Sequence, residues 1–156
     1  MIKVDIPGRE TLCLKHLVLD YNGAIACDGG LVRGVEEKLN QLADDLSIHI
    51  ITADTFGTVR QKCLHIKGEI KVLNSSHGML EKEKFVESLG AENVVAVGNG
   101  VNDSLMLKKV ALGIVVIGGE GAAQITVKEA DILVTSIHDA LGLLLNKTRI
   151  KATLRS

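Results

Sequence analysis

Three apolar runs in the chain end in residues that can bind a metal ion or a phosphate group. The first run ends at Asp20, the second ends at Thr52, and the third leads into residues 98–103, a glycine-rich segment that closes with Asp103. Apolar runs of this kind are typical of strands buried in a parallel sheet. The carboxyl ends of such strands meet at one edge of the sheet, where ligands bind, so we expect the three segments to converge.

The residue types in these segments indicate the chemistry. The carboxylates of Asp20 and Asp103, together with an amide carbonyl, can hold Mg²⁺, a cation that prefers oxygen ligands. The Thr52 hydroxyl and a lysine, Lys82 or Lys84, can supply a hydrogen-bond donor and a positive charge for a phosphoryl group. An aspartate can also attack phosphorus and form an aspartyl-phosphate. Phosphoryl transfer is therefore the predicted reaction class.

Strands and helices alternate along the chain, which indicates how these segments are positioned. Apolar periodicity predicts strands at 2–6, 12–20, 48–53, 69–73, 94–98, 112–117 and 132–134. It predicts helices at 35–46, 55–64, 79–89, 102–110, 120–128 and 138–146. Asp54 or Thr55 would cap the second helix, and a small β-hairpin is expected at 24–32. We predict one α/β domain over residues 1–156, with a doubly wound, mostly parallel six-stranded sheet, a hairpin flap and no large cap domain.

Composition limits the class of protein and its partners. The 156 residues are 46% hydrophobic and 24% charged, which predicts a folded globular chain. Only 2% are aromatic and the net charge is -1, so no nucleic-acid partner is expected. Cys13, Cys27 and Cys63 form no CxxC pair, which indicates free thiols in a reducing compartment. The chain has no N-terminal signal pattern and no apolar run of about 18 residues, so we predict a cytoplasmic protein without a membrane partner.

At the three strand ends the chain resembles the haloacid dehalogenase (HAD) superfamily, and within it the phosphorylation domain of P-type ATPases. Residues 20–24, Asp-Tyr-Asn-Gly-Ala, stand where these pumps have Asp-Lys-Thr-Gly-Thr, and residues 52–54, Thr-Ala-Asp, stand at their Thr-Gly-Asp. Residues 98–103 differ at one position from the pump motif Gly-Asp-Gly-Val-Asn-Asp. The gaps between the motifs leave no room for an inserted domain. The chain is therefore most similar to soluble, capless P-type-ATPase-like phosphatases, which implies the Rossmann-like three-layer fold of the superfamily.

The resemblance implies three overlapping sets of site residues, with Asp20 as the nucleophile. The catalytic residues would be Asp20, Asn22, Thr52 and Lys82. The phosphate-binding residues would be Thr52, Ala53, Lys82 and Asn102. The cofactor would be Mg²⁺, and its ligands would be Asp20, the main-chain carbonyl of Asn22, Asn99 and Asp103.

Two amides depart from the family pattern. Asn22 stands where phosphatases of the superfamily usually carry a second aspartate as general acid/base. An amide cannot exchange protons usefully near neutral pH, so a rate factor of about 10²–10⁴ should be lost. We therefore predict slow hydrolysis and a phospho-enzyme that accumulates. Asn99 stands where the pumps place a metal-binding aspartate, which predicts weak Mg²⁺ affinity and Asp103 as the main carboxylate ligand.

Three functions agree with the sequence. The first is a Mg²⁺-dependent phosphatase acting on a small phosphorylated metabolite or a nucleotide. The second is an ATPase-like hydrolase. The third is a non-enzymatic phospho-acceptor or regulatory module resembling a receiver domain, which the amide at Asn22 favours. Capless relatives often form homo-oligomers in which one subunit's hairpin covers the site of another, so a dimer or tetramer is expected.

Several residues keep two interpretations. The spacing favours Lys82 over Lys84 as the motif lysine but does not decide between them. Asp54 fits a helix cap better than a base. The histidines have no metal-ligand spacing and are interpreted as core or surface residues: His16, His49, His65, His77 and His138.

Overall fold

The computed structural model describes residues 1–54, 57–73 and 75–156. Within them the strands are β1 (Ile2–Val4), β2 (Leu12–Leu14), β3 (His16–Asp20), β4 (Ala26–Cys27), β5 (Gly30–Leu31), β6 (Ser47–Thr52), β7 (Glu69–Val72), β8 (Val94–Gly98), β9 (Leu112–Val116) and β10 (Ile132–Val134). The helices are α1 (Val35–Leu42), α2 (Thr58–Lys62), α3 (Gly78–Ser88), α4 (Ser104–Lys109), α5 (Gln124–Glu129), α6 (Ile137–Leu145) and α7 (Thr148–Leu154). Short 3₁₀ turns span Ser75–His77, Ala91–Asn93 and Val101–Asp103.

Six of the strands form one parallel sheet in the order β10-β9-β8-β3-β6-β7. β3 lies in its interior between β8 and β6, and Asp20 at the end of β3 pairs with Ile51 of β6. Thr52 follows as the last residue of β6, and Gly98 is the last residue of β8. The predicted parallel α/β sheet is confirmed, and the three strand ends lie on one edge.

Helices cover both faces of this sheet, because successive strand residues point to opposite sides. Leu17 and Leu19 of β3 pack into a hydrophobic cluster with residues of α1, α6 and α7. Val18 packs into a second cluster on the other face, with residues of α3, α4 and α5. A strand buried on both faces must be apolar on both, which explains the uninterrupted run that leads to Asp20.

The predicted central strand at 12–20 was wrong in its first half, since the segment forms two strands. β2 leaves the main sheet and pairs antiparallel with β1, and only β3 lies in the centre. The break is at Lys15, whose N–H donates to the Asn93 carbonyl at 2.8 Å and whose carbonyl accepts the Ser47 N–H at 2.9 Å. Apolar periodicity does not reveal which partner strand each half of such a run will find.

One predicted helix begins later than expected, and the start of another lies outside the described residues. The helix expected at 120–128 begins only at Gln124, because residues 118–121 form a turn in which the Gly121 N–H donates to the Gly118 carbonyl at 3.0 Å. The start of the helix expected at 55–64, with its candidate cap Thr55, lies outside the described residues, and the described part is α2.

The segment after β3 forms the predicted small hairpin, made of β4 and β5. Its turn has positive φ at Asp28 (51°) and Gly29 (78°), as a two-residue type I′ turn requires. The Tyr21 hydroxyl donates to the Gly29 carbonyl at 3.0 Å, and the Asp28 N–H donates to the Glu120 carboxylate at 3.3 Å. The hairpin tip is thereby fixed to the β9–α5 connection. No helix in the described part of the chain has both the length and the apolar character needed to cross a membrane.

Candidate active site

Three charged side chains from different elements meet at the carboxyl edge of the sheet. The Lys82 ammonium, on α3, donates to Asp20 Oδ1 at 3.0 Å and to Asp103 Oδ1 at 2.7 Å. The exposed fractions are 3% for Lys82, 8% for Asp20 and 0% for Asp103. Charged groups are seldom buried without a partner, and here each of the three side chains is paired with at least one of the others. The structure thus joins both predicted strand-end acids to a predicted lysine.

The contact also distinguishes the two candidate lysines. Successive residues of an α-helix are rotated by about 100° around its axis, so Lys82 and Lys84 point in different directions. Lys82 is buried against the two aspartates, whereas Lys84 is exposed. The geometry favours Lys82 as the lysine of the site.

Enclosure changes the proton affinity of these groups. Burial, followed by the nearby charge of Asp103, raises the pKa of Asp20 to about 7, although Lys82 opposes the shift. Burial lowers the pKa of Lys82, but the two carboxylates outweigh burial and the net pKa is raised. Near neutral pH the site therefore holds a protonated lysine beside an aspartate close to its titration point. A cation bound beside Asp20 would favour the ionised carboxylate.

Asp103 is held by the turn that precedes it. Its Oδ2 atom accepts the N–H groups of Asn99 at 2.9 Å and Gly100 at 3.0 Å, while Oδ1 accepts Lys82. A carboxylate has about four acceptor positions, and three of them are taken here. A Cβ atom at Gly98 would lie 2.5 Å from Asp103 Cγ, so the turn closes tightly on the carboxylate. These bonds suit Asp103 to holding Lys82 and the turn better than to the metal-ligand role predicted for it.

Asn99 connects this turn to the β3–β4 loop and to the β9–α5 connection. Its Nδ2 donates to the Gly121 carbonyl at 3.1 Å, and its main-chain carbonyl accepts the Ala123 N–H at 2.8 Å. Its amide also lies against Gly23, where a Cβ atom would be 2.2 Å from Nδ2. Gly23 has a φ of 78°, so glycine suits this position for two reasons. Because Nδ2 is occupied, Oδ1 is the atom with which Asn99 can serve a ligand.

Thr52 and Asp54 have separate functions at the end of β6. Thr52 is buried, and its Oγ1 accepts the Asp54 N–H at 3.0 Å. A threonine hydroxyl also carries one hydrogen to donate, and this hydrogen is available for a phosphoryl oxygen. The Asp54 carboxylate accepts the Val59 N–H at 2.9 Å in the first turn of α2, which agrees with its interpretation as a helix cap. Ala53, between them, is exposed at the strand end.

The other predicted residues lie outside the buried cluster. Asn22, in the β3–β4 loop, and Asn102, in the turn Val101–Asp103, both have exposed side chains. Sequence reasoning missed Thr126 of α5, which is fully buried and whose hydroxyl donates to the Gly100 carbonyl at 2.7 Å. A threonine within a helical segment carries no pattern that points to a contact 26 residues away.

We compared the sequence and the fold of the chain with those of known proteins. No family model matches the chain. The uncharacterized protein MJ0073 of Methanocaldococcus jannaschii is 51% identical over 80 residues, which are 49% of this chain and 86% of that protein. A Streptomyces avermitilis protein assigned to the HAD family of hydrolases superposes with a TM-score of 0.69 at 20% identity, covering 87% of both chains.

A second solved structure comes from an enzyme with bound ligands. The 3-deoxy-D-manno-octulosonate 8-phosphate phosphatase of Moraxella catarrhalis, in complex with magnesium ion, phosphate ion and KDO, superposes with a TM-score of 0.69 at 18% identity. The match covers 92% of this chain and 95% of that one. Identities at this level show a common fold. The chain shares its fold with these haloacid dehalogenase (HAD) hydrolases, and by its sequence it belongs to the same family as MJ0073.

Proposed function

We propose that the chain is a Mg²⁺-dependent phosphohydrolase that acts through an aspartyl-phosphate on Asp20. The observation that carries this proposal is the buried Lys82 ammonium, which contacts both Asp20 and Asp103 at the carboxyl edge of the sheet. A nucleophilic carboxylate, a fixed positive charge and a hydroxyl donor at Thr52 are the groups that phosphoryl transfer requires. The magnesium and phosphate ions of the Moraxella phosphatase, which has the same fold, support the same chemistry.

The proposed reaction has two steps. In the first, a carboxylate oxygen of Asp20 attacks phosphorus, the ester P–O bond breaks, and the leaving alcohol takes a proton from solvent. In the second, water attacks the same phosphorus, the bond to Asp20 breaks, and inorganic phosphate leaves with the carboxylate restored. Lys82 stabilises the negative charge between Asp20 and the phosphoryl group, and the Thr52 hydroxyl donates to a phosphoryl oxygen.

The residues beside Asp20 fit a magnesium ion. Asp20, the Asn22 carbonyl and Asn99 Oδ1 would hold it, and all three donors are the hard oxygen atoms that Mg²⁺ prefers. Among the described residues, no three His, Cys, Asp or Glu side chains are grouped to hold a metal. The proposed ligand set has one carboxylate and two neutral oxygens, so we expect weak Mg²⁺ affinity. When bound, Mg²⁺ would neutralise charge on the phosphoryl oxygens.

The exposed amide of Asn22 should make the second step slow. It stands two residues after the nucleophile, where a carboxylate would act as general base for the attacking water, and an amide cannot accept that proton. We therefore propose that the aspartyl-phosphate forms faster than it hydrolyses. The substrate would be a small phosphorylated metabolite, and the predicted cytoplasmic location and homo-oligomeric state remain predictions.

A panel of small phosphomonoesters and ATP, assayed with and without Mg²⁺, tests the proposal. We expect phosphate release that requires Mg²⁺ and falls by at least about 10³-fold in Asp20→Asn. An acyl-phosphate that hydroxylamine cleaves should accumulate in the wild type and be missing in the variant. Phosphate release by Asp20→Asn at the wild-type rate would contradict the proposal. Turnover confined to ATP would identify the ATPase-like alternative instead.

The phospho-acceptor function is the second candidate, because Asn22 removes the group that would speed release of phosphate. In that case acetyl phosphate would label Asp20 stoichiometrically, and the label would persist with negligible turnover of any phosphomonoester in the panel. A measured turnover number well above the decay rate of the labelled protein would exclude this function.

A further inference from the structure

A cavity of about 190 Å³ lies beside the proposed catalytic site. We infer that it binds the leaving group of the phosphomonoester, and that this group is one small ring or short chain with an apolar face; the inference rests on the proposed function. One wall of the cavity is the hairpin segment that follows Asp20. The opposite wall is formed by the ends of β9 and β10 with the residues after them. The lining residues used below are Gly23, Ala26, Cys27, Val32, Glu120 and His138.

The position of the cavity links it to the reacting group. Gly23 lines the cavity and also contacts the Asn99 amide of the proposed catalytic site. Gly23 is the third residue after Asp20, so their Cα atoms are at most about 11 Å apart. The cavity thus begins at the glycine that contacts the Asn99 amide, within a short reach of a phosphoryl group at Asp20.

The volume of the cavity limits what can enter. Sites for drug-sized ligands have volumes of about 300–1,000 Å³, and this one is smaller. An apolar cavity of about 150 Å³ is enough to hold benzene. The cavity is open on one side, and its enclosed part accommodates a single ring or a chain of similar size.

The walls offer mainly apolar contact, and two of their polar side chains, His138 and Glu120, bond to other parts of the chain. His138 Nε2 contacts the Arg33 carbonyl at 2.8 Å, and Lys38 Nζ contacts His138 Nδ1 at 3.0 Å. Since an ammonium can only donate, Nδ1 is the acceptor and Nε2 carries the proton. The Glu120 carboxylate accepts the Asp28 N–H at the hairpin tip. These contacts hold the two walls in place, so the cavity is formed before a ligand arrives.

The hairpin side of the cavity is closed by small or flexible side chains. Ala26 is buried, and Cys27 reaches across to the other wall, where a Cβ atom at Gly119 would lie 2.9 Å from its Sγ. A larger side chain at Cys27 or Val32 would therefore fill the space. Cys27 is exposed and Val32 is partly exposed, so neither change removes a buried core residue.

Two cavity-filling variants, Cys27→Phe and Val32→Phe, test the inference with two substrates. The substrates are 4-nitrophenyl phosphate, whose leaving group is one ring, and acetyl phosphate, whose leaving group is much smaller. We expect the ratio of their kcat/KM values, ring over acetyl, to fall by at least about 10-fold in both variants. The ratio is internal to each variant, so a loss of folded protein cancels. The control Leu64→Phe, at a residue 71% exposed, should keep the wild-type ratio.

The outcomes separate the two proposals. A ratio within about twofold of wild type in both filling variants would overturn the leaving-group assignment and leave the phosphohydrolase proposal intact. A wild-type protein that turns over neither substrate with Mg²⁺ would overturn the phosphohydrolase proposal and the leaving-group assignment with it.

Discussion

Strand β3 contributes to a polar cluster at each of its ends, and the two clusters differ in kind. At the carboxyl end, Asp20 joins Lys82 and Asp103 in a contact between charged groups. Toward the amino end, His16 Nδ1 lies 3.2 Å from His49 Nε2. Both clusters take titratable groups out of water, yet only the first is suited to bind a phosphoryl group.

In the histidine pair, the His49 ring packs as an uncharged aromatic group. The His49 ring meets Phe85 edge-on, with centroids 5.6 Å apart, and its nearest acid is the exposed Glu69, 3.7 Å away. In the described part of the chain, the buried His49 Nδ1 has no hydrogen-bond partner. Burial, followed by the neighbouring His16, lowers the pKa of His49, so the ring stays neutral near pH 7.

The difference shows that burial of titratable groups does not by itself mark a site. A histidine releases its proton on burial and leaves no charge behind. The ammonium of Lys82 instead keeps its proton, because its two carboxylate partners raise its pKa. A charge that is kept in the interior depends on its partners. We therefore expect the charged cluster to respond to mutation far more strongly than the histidine pair.

The largest effect on stability is expected from Lys82→Met. The substitution leaves Asp20 and Asp103 buried beside each other without a cation, and breaking a buried ion pair from one side costs about 3–5 kcal/mol. We expect the free energy of unfolding at pH 8, measured by urea denaturation, to fall by that amount. The matched control Lys84→Met changes an exposed lysine of the same helix and should stay within about 0.5 kcal/mol of wild type. Equal losses in the two variants would remove Lys82 from the charged cluster.

The charged cluster could be predicted from the sequence because its placement follows from topology. Acids that end neighbouring parallel strands must share an edge, so Asp20 and the 98–103 segment had to meet once the strand order held. The lysine was predicted from its spacing and from the family resemblance, and its burial favours Lys82 of the two candidates. The sequence could not show that the Asp103 carboxylate accepts three hydrogen bonds, from Lys82 and from two N–H groups of the turn. Those bonds depend on how closely the turn packs against the carboxylate at Gly98.

The fold was predictable where a segment's own pattern decided its structure, and less so where a distant partner did. The parallel sheet and the hairpin follow from apolar runs and from the Asp28-Gly29 turn. The break at Lys15 depends on β1, which supplies β2 with a partner outside the main sheet. His16 and His49 are 33 residues apart in the sequence, so a pattern within one segment of the chain cannot predict their contact.

The next effect, which has a defined pH dependence, is expected from Asp20→Asn. In the unfolded chain this carboxyl titrates near 3.8, and in the folded protein its pKa is about 7. Between these values the folded state binds the additional proton, so raising the pH through this window lowers the stability of the wild type, by at most about 1.4 kcal/mol per pH unit. An amide in place of this carboxyl cannot titrate, so the variant should gain stability over wild type as the pH rises from 4 to 7.

Urea denaturation of both proteins between pH 4 and pH 8 measures this difference. Asp44→Asn, which changes an exposed carboxylate, serves as the control and should show no such gain. A stability difference between Asp20→Asn and wild type that stays constant with pH would show that Asp20 is ionised throughout in the folded protein.

The smallest effect, and the opposite sign, is expected at the histidine pair. Because burial lowers the pKa of His49 below its ordinary value of 6.5, the unfolded chain binds the proton first as the pH falls. His49 should therefore contribute a loss of stability below about pH 6.5, by at most about 1.4 kcal/mol per pH unit, opposite in sign to the contribution of Asp20. His49→Gln should remove this loss, whereas His65→Gln, at an exposed histidine, should retain it. Phosphatase activity of His49→Gln should remain within about twofold of wild type. Between about pH 5 and 6.5 the two clusters therefore change the free energy of unfolding in opposite directions. If this free energy varies with pH in His49→Gln as it does in wild type, His49 makes no contribution and the prediction is wrong.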